Sequence, residues 1–149
     1  MKLIACGLEH LEMAADLFNQ YRQFYEEADD LPASQAFLQA NLASQQSRIY
    51  LLLDDEGQAV AFAQLYPAMC SLAMQRFYWL YDLFVVPTAR KHGYARALMT
   101  SLIDIFEEEG AQRISLDTAR SNLPAQALYE SLGYEQEQAF ITYHKMLDH

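Results

Sequence analysis

The pattern of apolar residues predicts a mixed α/β (α+β) domain that spans the whole chain, residues 1–149. Short aromatic and β-branched runs predict strands, and apolar residues three and four positions apart predict helices. No stretch rich in Gly, Pro or Ser suggests a linker, and 149 residues are enough to bury a core without disulfides. The predicted order is strand, two helices, three strands, helix, strand, helix and strand. Antiparallel hairpins therefore come first and crossover units follow.

The first half of the chain is predicted to begin with a strand and two helices. Lys2 to Cys6 is a short apolar run, typical of a first strand. The next apolar residues recur at helical spacing: Leu11, Ala14, Phe18, Tyr21 and Tyr25. Pro32 interrupts this pattern, and a second helix is predicted from about Ser34 to Ala43. A hairpin is expected after it, with two strands and a turn: Ile49 to Leu53, Ala59 to Tyr66 and, between them, Asp54 to Gly57.

The second half alternates strands with helices. Phe77 to Val86 is aromatic and β-branched, ends at Pro87 and is typical of a central strand. A helix is predicted from Gly93 to Glu109, ended by Gly110, with its apolar face formed by Ala95, Leu98, Leu102, Ile105 and Phe106. The last predicted elements are a strand, a helix and a final strand: Arg113 to Thr118, Asn122 to Leu132 and Phe140 to Leu147.

The net charge of the chain limits the classes of partner that it is expected to bind. The chain has 10 Lys and Arg against 20 Asp and Glu, a formal net charge of −10, and 52% of its residues are hydrophobic. This composition excludes an intrinsically disordered chain and counts against nucleic acid or an anionic membrane as a partner. Residues 1–60 carry 3 basic and 10 acidic side chains, so a cationic ligand is expected toward the first part and an anionic one toward the second.

Cysteine usage and hydropathy predict a cytoplasmic location. Cys6 and Cys70 provide neither a disulfide framework nor a metal-ligand spacing, and the four histidines show no such spacing either. No apolar run approaches the roughly 18 to 20 residues of a membrane span. The first ten residues, MKLIACGLEH, are unlike a signal peptide. We therefore expect a soluble cytoplasmic protein without a bound metal.

The segment from Leu83 to Arg96 is the most informative about chemistry. A buried strand ends, a short basic turn follows, and a helix begins at small residues. The first turn of a helix has free backbone N–H groups and a partial positive charge, which favour a phosphate. Gly93 would let the backbone approach a pyrophosphate closely, and Arg90, Lys91 and Arg96 add positive charge. On spacing alone, a packed loop with a solvated basic rim is the alternative.

The motif Arg90-x-x-Gly93-x-Ala95 resembles the Q/R-x-x-G-x-G/A signature of the GNAT superfamily of N-acetyltransferases. Further residues resemble the second half of that family's acetyl-CoA site: Asn122, Ala125, Leu128, Tyr129 and Leu132 to Tyr134. Leu80 to Val85 is similar to a strand of the small-amine branch, which contains the spermidine/spermine acetyltransferases. The resemblance covers nearly the whole chain. It implies the GNAT fold, a mixed, mostly antiparallel central sheet of six to seven strands flanked by about four helices.

The resemblance also implies acetyl-CoA as co-substrate, with no metal. The residues implied to contact acetyl-CoA are Leu83, Phe84 and Val85 through their main chain, then Arg90, Lys91, His92, Gly93, Tyr94, Ala95 and Arg96, and finally Asn122, Ala125 and Tyr129. Tyr129 matches the tyrosine that protonates the departing CoA thiolate, and a phenol with a pKa of about 10 stays protonated at neutral pH. On spacing alone, a helix-face aromatic packed in the core is the alternative for Tyr129.

The proton acceptor and the amine site are expected on the other side of the thioester. The family's Glu is replaced here by Tyr81, which leaves Asp82 as the candidate general base; a structural acceptor in an irregular strand is the alternative. Glu26 and Glu27 are further candidates, in an acidic segment that also has the pattern of a solvated helix end. The residues expected to bind the amine are Tyr25, Glu26, Glu27, Tyr81 and Asp82.

These observations predict an N-acetyltransferase that moves an acetyl group from acetyl-CoA to a primary amine of a small molecule, a polyamine or an amino-acid-like compound. Direct attack in a ternary complex is expected, and relatives suggest a homodimer. One alternative is a protein acetyltransferase acting on lysine side chains or N-termini. Another is a non-catalytic acyl-CoA-binding regulatory domain, suggested by Tyr81 in place of the family's Glu. The net charge counts against a tRNA-directed toxin of the same fold.

Overall fold

The computed structural model describes residues 1–149 and divides them into two compact units, Met1–Asp117 and Thr118–His149. The first unit contains five strands and three helices: β1 (Lys2–Ala5), α1 (Leu11–Phe24), α2 (Leu31–Ser44), β2 (Arg48–Leu53), β3 (Ala59–Cys70), β4 (Gln75–Val85), α3 (Tyr94–Glu108) and β5 (Ile114–Ser115). The second contains α4 (Leu123–Ser131). The single domain expected for residues 1–149 stays a prediction. None of the helices has the length and apolar character needed to cross a membrane.

The sheet has the order β1-β2-β3-β4-β5. The first four strands are antiparallel to their neighbours, and β5 runs parallel to β4. The predictions of a mixed, mostly antiparallel sheet and of four helices are therefore confirmed. The prediction of six to seven strands was wrong, because the sheet contains five.

The missing strand is the final one predicted, Phe140 to Leu147. This segment forms neither helix nor strand, and its large apolar side chains are exposed. Apolar and aromatic residues give a segment the capacity to form a strand, but a strand forms only where it pairs with another one. Here the sheet ends at β5, whose two residues pair with β4 alone.

Two hydrophobic layers cover the two faces of the sheet. On one face, the ring of Phe62 in β3 lies 5.9 Å from the ring of Phe18 in α1. On the opposite face, the ring of Phe106 in α3 lies 6.1 Å from the ring of Tyr50 and 4.4 Å from that of Tyr78. The sheet is thus enclosed between α1 and α2 on one side and α3 on the other, and the side chains of its central strands are largely buried.

Helix α2 begins earlier than the sequence predicted. Pro32 lies in its first turn, where the missing N–H of proline costs no hydrogen bond. Asp30 caps the helix, since its Oδ1 accepts a hydrogen bond of 3.1 Å from the backbone N–H of Ala33. The proline interpreted as a helix breaker is therefore part of a helix start.

Candidate active site

The edge of β4 opens beyond Trp79. Strand β5 pairs with β4 at Tyr78 and Trp79 alone, so the edge from Leu80 to Val85 has no neighbouring strand. The main chain of Leu83, Phe84 and Val85, expected to contact acetyl-CoA, lies on this stretch. Exposed sheet edges can pair with an extended chain that carries amides. The geometry therefore suits a pantetheine arm.

A β-bulge reorients β4 at this point. Leu80 is paired with Leu65, and Asp82 with Gln64, so two steps along β4 match one step along β3 and Tyr81 is the extra residue. In an unbroken strand, residues 80 and 82 would share one face. The bulge instead places Asp82 with Gln64 on the α1 and α2 face, opposite Leu80. It also exposes Tyr81, whose accessible fraction is 69%.

Asp82 is buried, with an exposed fraction of 7%, and its carboxylate is hydrogen-bonded. The amide Nε2 of Gln64 donates to Oδ2 of Asp82 at 2.8 Å. The phenol of Tyr21 in α1 bonds the same carboxylate. Burial raises the pKa of Asp82 above its ordinary value, although both hydrogen bonds oppose this effect. The residue is therefore a stronger base than an exposed aspartate.

Gln64 links Asp82 to the second helix. Its side chain is fully buried, and its Oε1 accepts hydrogen bonds from Asn41 Nδ2 at 3.1 Å and from Ser47 Oγ at 2.7 Å. The same amide of Asn41 donates to the hydroxyl of Tyr66 at 3.2 Å. Because every partner is held in turn, the orientation of the carboxylate is fixed by a network that reaches from β4 to α2.

Four tyrosines form two pairs near Asp82, and Tyr21 of one pair interacts with its carboxylate. Together we call them the tyrosine ring, residues Tyr21, Tyr25, Tyr66 and Tyr81. The rings of Tyr21 and Tyr25 are 5.1 Å apart, and those of Tyr66 and Tyr81 are 5.7 Å apart, both edge to face. Burial, with a smaller contribution from the negative charge of Asp82, raises the pKa of both Tyr21 and Tyr66. Tyr25 and Tyr81 are 62% and 69% exposed, so the ring faces solvent on one side.

The acidic segment after α1 is mostly occupied by structural contacts. Glu27 forms an ion pair with Arg22 at 3.8 Å. Asp29 accepts a hydrogen bond of 2.8 Å from Asn19, and Asp30 caps α2. The exposed Glu26 adopts a positive φ of 66° in the turn. Of the residues predicted to bind the amine, the structure therefore brings Tyr25, Tyr81 and Asp82 together, whereas Glu27 faces Arg22.

The basic loop before α3 has the form expected of an anion site. Lys91 and Gly93 have positive φ angles of 68° and 77°, and the helix begins directly after, at Tyr94. This turn places the first-turn N–H groups of α3, which point toward the helix start, beside the exposed residues Lys91 and His92. A side chain built on Gly93 would meet no atom within 4 Å, so the glycine is required by its φ and leaves room for a ligand.

Arg90 is directed away from this loop. Its Nε donates to the carbonyl oxygen of Val85 at 3.1 Å. Its guanidinium carbon lies 5.3 Å from the ring centre of Phe24 and 5.8 Å from that of Phe84. The side chain thus connects the open edge of β4 with the end of α1.

The second unit carries the other three residues assigned to acetyl-CoA. Asn122 caps α4, because its Oδ1 accepts a hydrogen bond of 3.2 Å from the N–H of Ala125. Tyr129 follows Asn122 by seven residues, about two helical turns, and its ring lies 6.1 Å from that of Tyr134. Burial, with a smaller contribution from Tyr129, raises the pKa of Tyr134 to about 12.

The structure contains no group of three or more His, Cys, Asp and Glu side chains that could hold a metal ion. Its donor groups are those of an organic anion site: backbone N–H groups at a helix start, nearby cations and a free strand edge. These features fit acetyl-CoA in the first unit.

The sequence pattern of the family described as "Acetyltransferase (GNAT) family" matches residues 12–134. The chain belongs to this family. The GNAT match covers α1 to α4 and therefore every residue that carries the candidate site. Members of the GNAT family use acetyl-CoA, and the protein is accordingly an acetyltransferase by family.

Individual GNAT relatives agree with this membership. The chain is 43% identical over 129 residues to "Uncharacterized N-acetyltransferase YhfO" of Bacillus subtilis, covering 87% of this chain and 86% of the relative. It is 31% identical over 133 residues to "[Ribosomal protein bS18]-alanine N-acetyltransferase" of Escherichia coli K12, covering 82% and 86%. A crystal structure of "a probable acetyltransferase" superposes with a TM-score of 0.93 at 35% identity, over 99% of both chains.

Three residues of the site were missed by sequence reasoning: Tyr21, Gln64 and Tyr66. Tyr21 and Tyr66 fitted a helix stripe and a strand run, so nothing distinguished them from core aromatics. Gln64 gave a signal, because it is the single polar residue in the apolar run Val60 to Leu65. A buried polar residue requires hydrogen-bonding partners, and that requirement points to a network.

Proposed function

We propose that this GNAT protein transfers the acetyl group of acetyl-CoA to the primary amine of a small molecule by direct attack in a ternary complex. The observation that carries the proposal is the buried carboxylate of Asp82, held by Gln64 and enclosed by aromatic rings that open to solvent. An ammonium group is the natural partner of such a site, because it pairs with the anion and lies favourably on aromatic faces.

The transfer requires proton movements at the amine, at the sulfur and back to the tyrosine. The amine approaches mostly as an ammonium ion, and Asp82 accepts its proton directly or through a water molecule. The amine nitrogen then forms a bond to the acetyl carbonyl carbon, and the carbon–sulfur bond breaks. Tyr129 donates its phenolic proton to the departing thiolate of CoA, a role that rests on the resemblance of its helix to the family pattern. The acylated nitrogen loses its second proton to water, and the Tyr129 phenolate takes up a proton from water in turn.

Binding of acetyl-CoA is assigned to three groups of this chain. The main chain from Leu83 to Val85 would pair with the pantetheine amides, and the loop and helix start from Lys91 to Arg96 would hold the pyrophosphate through backbone N–H groups. Asn122 and Ala125 would line the pantetheine arm. Arg90 belongs to this group through the β4 edge, since its side chain bonds the carbonyl of Val85.

The test is thiol release from acetyl-CoA, measured in parallel with polyamines, monoamines, amino acids, aminoglycosides and lysine or N-terminal peptides. Release with one amine class would support the proposal and identify the class. Asp82→Asn is expected to lower kcat by about a hundredfold or more for the same amine, because general base catalysis contributes at this scale. Binding of acetyl-CoA without turnover for any acceptor would contradict the proposal and favour a non-catalytic acyl-CoA-binding domain.

A protein acetyltransferase is the second candidate. It is favoured by the 31% identity to the Escherichia coli K12 protein whose name gives the N-terminal alanine of a ribosomal protein as its acceptor. Peptides beginning with alanine and peptides with an internal lysine would separate this candidate from the first. A peptide acceptor with a kcat/KM well above that of every small amine would replace the proposal.

The proposal also covers the cellular location, the oligomeric state and the partners of the protein. We place the protein in the cytoplasm as a homodimer, without nucleic acid or membrane as a partner. The excess of acidic residues, 20 against 10 basic ones, supports the exclusion of polyanionic partners. Both cysteines are free, which suits a reducing compartment. Gel filtration with light scattering would test the dimer.

A further inference from the structure

We infer that the acceptor is a primary amine with a single positive charge on an apolar body, and that Tyr81 is the residue that selects it. This inference rests on the proposed function and specifies its substrate. It follows from what surrounds the ammonium site: one buried carboxylate, Asp82, and the tyrosine ring defined above.

The carboxylates near the site set the charge that it can accept. Asp82 is the carboxylate enclosed by the ring. In the acidic segment after α1, Glu26 is exposed to solvent and Glu27 is paired with Arg22. Asp29 accepts a hydrogen bond from Asn19 of α1, and Asp30 caps α2. A second ammonium on the substrate would lose its hydration without gaining a buried anion, which is unfavourable. A diamine or polyamine is therefore a poorer fit than a monoamine.

The tyrosine ring sets the character of the rest of the substrate. Tyr21 and Tyr66 are half-buried beside Asp82, whereas Tyr25 and Tyr81 are exposed at the opening, at 62% and 69%. Because these two rings are the exposed members of the tyrosine ring, a substrate carbon chain that leaves the carboxylate toward solvent is expected to contact one or both of them. Aromatic faces attract a neighbouring ammonium and pack well against apolar carbon. An apolar chain is thus preferred over a polar one.

Tyr81 has this position because of the bulge. As the extra residue of β4, it has no partner on β3, and its side chain lies against Tyr66 with their ring centres 5.7 Å apart. The network below it, Asn41 with Gln64 and Tyr66, holds that neighbour in place. The ring of Tyr81 is thereby supported at the opening, although the side chain is largely exposed.

The experiment compares two probes of equal chain length, n-butylamine and 1,4-diaminobutane, which differ by one ammonium group. Steady-state kcat and KM are measured by thiol release from acetyl-CoA for the parent protein, Tyr81→Leu, Tyr81→Phe and Tyr81→Glu. The parent protein is expected to favour n-butylamine in kcat/KM by about tenfold or more. Tyr81→Leu should raise the KM for n-butylamine by about tenfold with little change in kcat, a typical effect of losing a cation–π contact.

Two further variants distinguish the effect of the aromatic ring of Tyr81 from that of its hydroxyl group and from that of an added negative charge. Tyr81→Phe keeps the aromatic face and should retain the parent KM. Tyr81→Glu adds a second carboxylate at the opening and should shift the preference toward 1,4-diaminobutane. Tyr143→Leu is the matched control, because Tyr143 is an exposed tyrosine that the site does not use. Its kinetics should equal those of the parent protein.

Two results would overturn the inference while the proposed function stands: equal or better turnover of 1,4-diaminobutane by the parent protein, or an unchanged KM in Tyr81→Leu. A peptide preferred to every small amine would overturn the inference and the proposed function together. Circular dichroism melts confirm that each variant is folded. If Tyr81→Leu unfolds, Tyr25→Leu tests the other exposed ring in the same assay, and the comparison of the two probes needs no variant. Absence of thiol release with every acceptor would instead contradict the proposed function itself.

Discussion

Asp82 combines burial with hydrogen bonding, and the two influence its protonation in opposite directions. Removal from water disfavours the carboxylate, whereas the amide of Gln64 and the phenol of Tyr21 stabilise it. The first effect is larger, and the pKa of Asp82 is raised above the ordinary 3.8. A raised pKa in the folded state means that ionisation of this residue costs stability.

The pH dependence of stability follows from this direction. Folded protein holds the Asp82 proton to higher pH than unfolded chain, so the free energy of unfolding decreases as pH rises from the ordinary pKa through the raised one. Asp82→Asn keeps an acceptor for Gln64 and removes the charge. It should therefore melt about 2–4 °C above the parent protein near pH 7, with a difference that shrinks toward about pH 4. Melts followed by circular dichroism across that range measure the difference, and a lower melting temperature at every pH would show that the hydrogen bonds outweigh the burial cost.

Tyr129 is the residue for which sequence resemblance carries the most weight. Tyr129→Phe removes the phenolic proton and preserves the ring, so we expect kcat to fall by about a hundredfold or more with little change in the KM for acetyl-CoA. Tyr143→Phe, which removes the hydroxyl from an exposed tyrosine, is the matched control. Equal kcat values for the parent protein and Tyr129→Phe would remove Tyr129 from the mechanism.

Among the secondary-structure elements, β2 is connected to the end of α3 through the side chain of Arg48. The two terminal nitrogens of Arg48, at the start of β2, each lie 2.7 Å from a carboxylate oxygen of Glu109, directly after α3. The guanidinium carbon lies 4.5 Å from the ring centre of Phe106, which belongs to the last turn of the helix. An arginine stabilises a fold most when its guanidinium makes two parallel hydrogen bonds to one carboxylate and also packs on an aromatic ring.

Arg48→Met tests this connection. Methionine keeps an apolar stem against Phe106 but removes the paired hydrogen bonds, and we expect a loss of about 1–2 kcal/mol in the free energy of unfolding, since partial exposure screens the pair. Urea unfolding monitored by fluorescence measures the loss. Glu108→Gln, one residue before Glu109, serves as control and should change stability by less than about 0.5 kcal/mol. A similar loss in both variants would mean that the pair contributes nothing specific.

The elements themselves were largely predictable, because each depends on a local pattern. Apolar spacing identified α1 and α3, and Pro32 and Gly133 helped to delimit α2 and α4. Apolar, β-branched and aromatic runs identified the strands. The errors arose where distant pairing decides the outcome. The hairpin of β3 and β4 continues through Pro67, which is paired with Tyr78, although proline in a sequence usually marks the end of a strand.

The candidate site was predictable only in part, for the same reason. Asp82 and Tyr81 could be identified because Leu80 to Val85 resembles a strand of the GNAT family. No local sequence pattern, however, predicts the β-bulge. The bulge decides which of them faces inward, and it unites Asp82 with Gln64, a residue 18 positions earlier in the chain. Contacts of this kind depend on the register of two strands, which the sequence of either one leaves open.

For the molecule as a whole, the segment after Tyr134 is part of the longest stretch without a helix or strand. Residues 135–149 form no helix or strand, and Phe140, Tyr143 and Leu147 are at least 71% exposed. We expect brief treatment with chymotrypsin to cut first at Phe140 and Tyr143, since exposed irregular segments are the preferred sites of proteolysis. Mass spectrometry of the products checks this. Early cleavage in the hairpin loop around Leu72, with the last residues intact, would show that the segment is covered, as a dimer could provide.

The side chain of Arg90 contacts both the strand edge expected to bind acetyl-CoA and the helix end that faces the amine site. It bonds the carbonyl of Val85 on the edge where the acetyl donor is expected and lies over Phe24 at the end of the helix that faces the acceptor. A pantetheine arm bound on this edge would contact the guanidinium of Arg90. Any displacement of the guanidinium would also change its contact with Phe24. Donor and acceptor affinities are then linked, and such linkage is reciprocal. We therefore expect CoA to change the Kd of the amine, and the amine to change the Kd of CoA by the same factor, as titration calorimetry would measure.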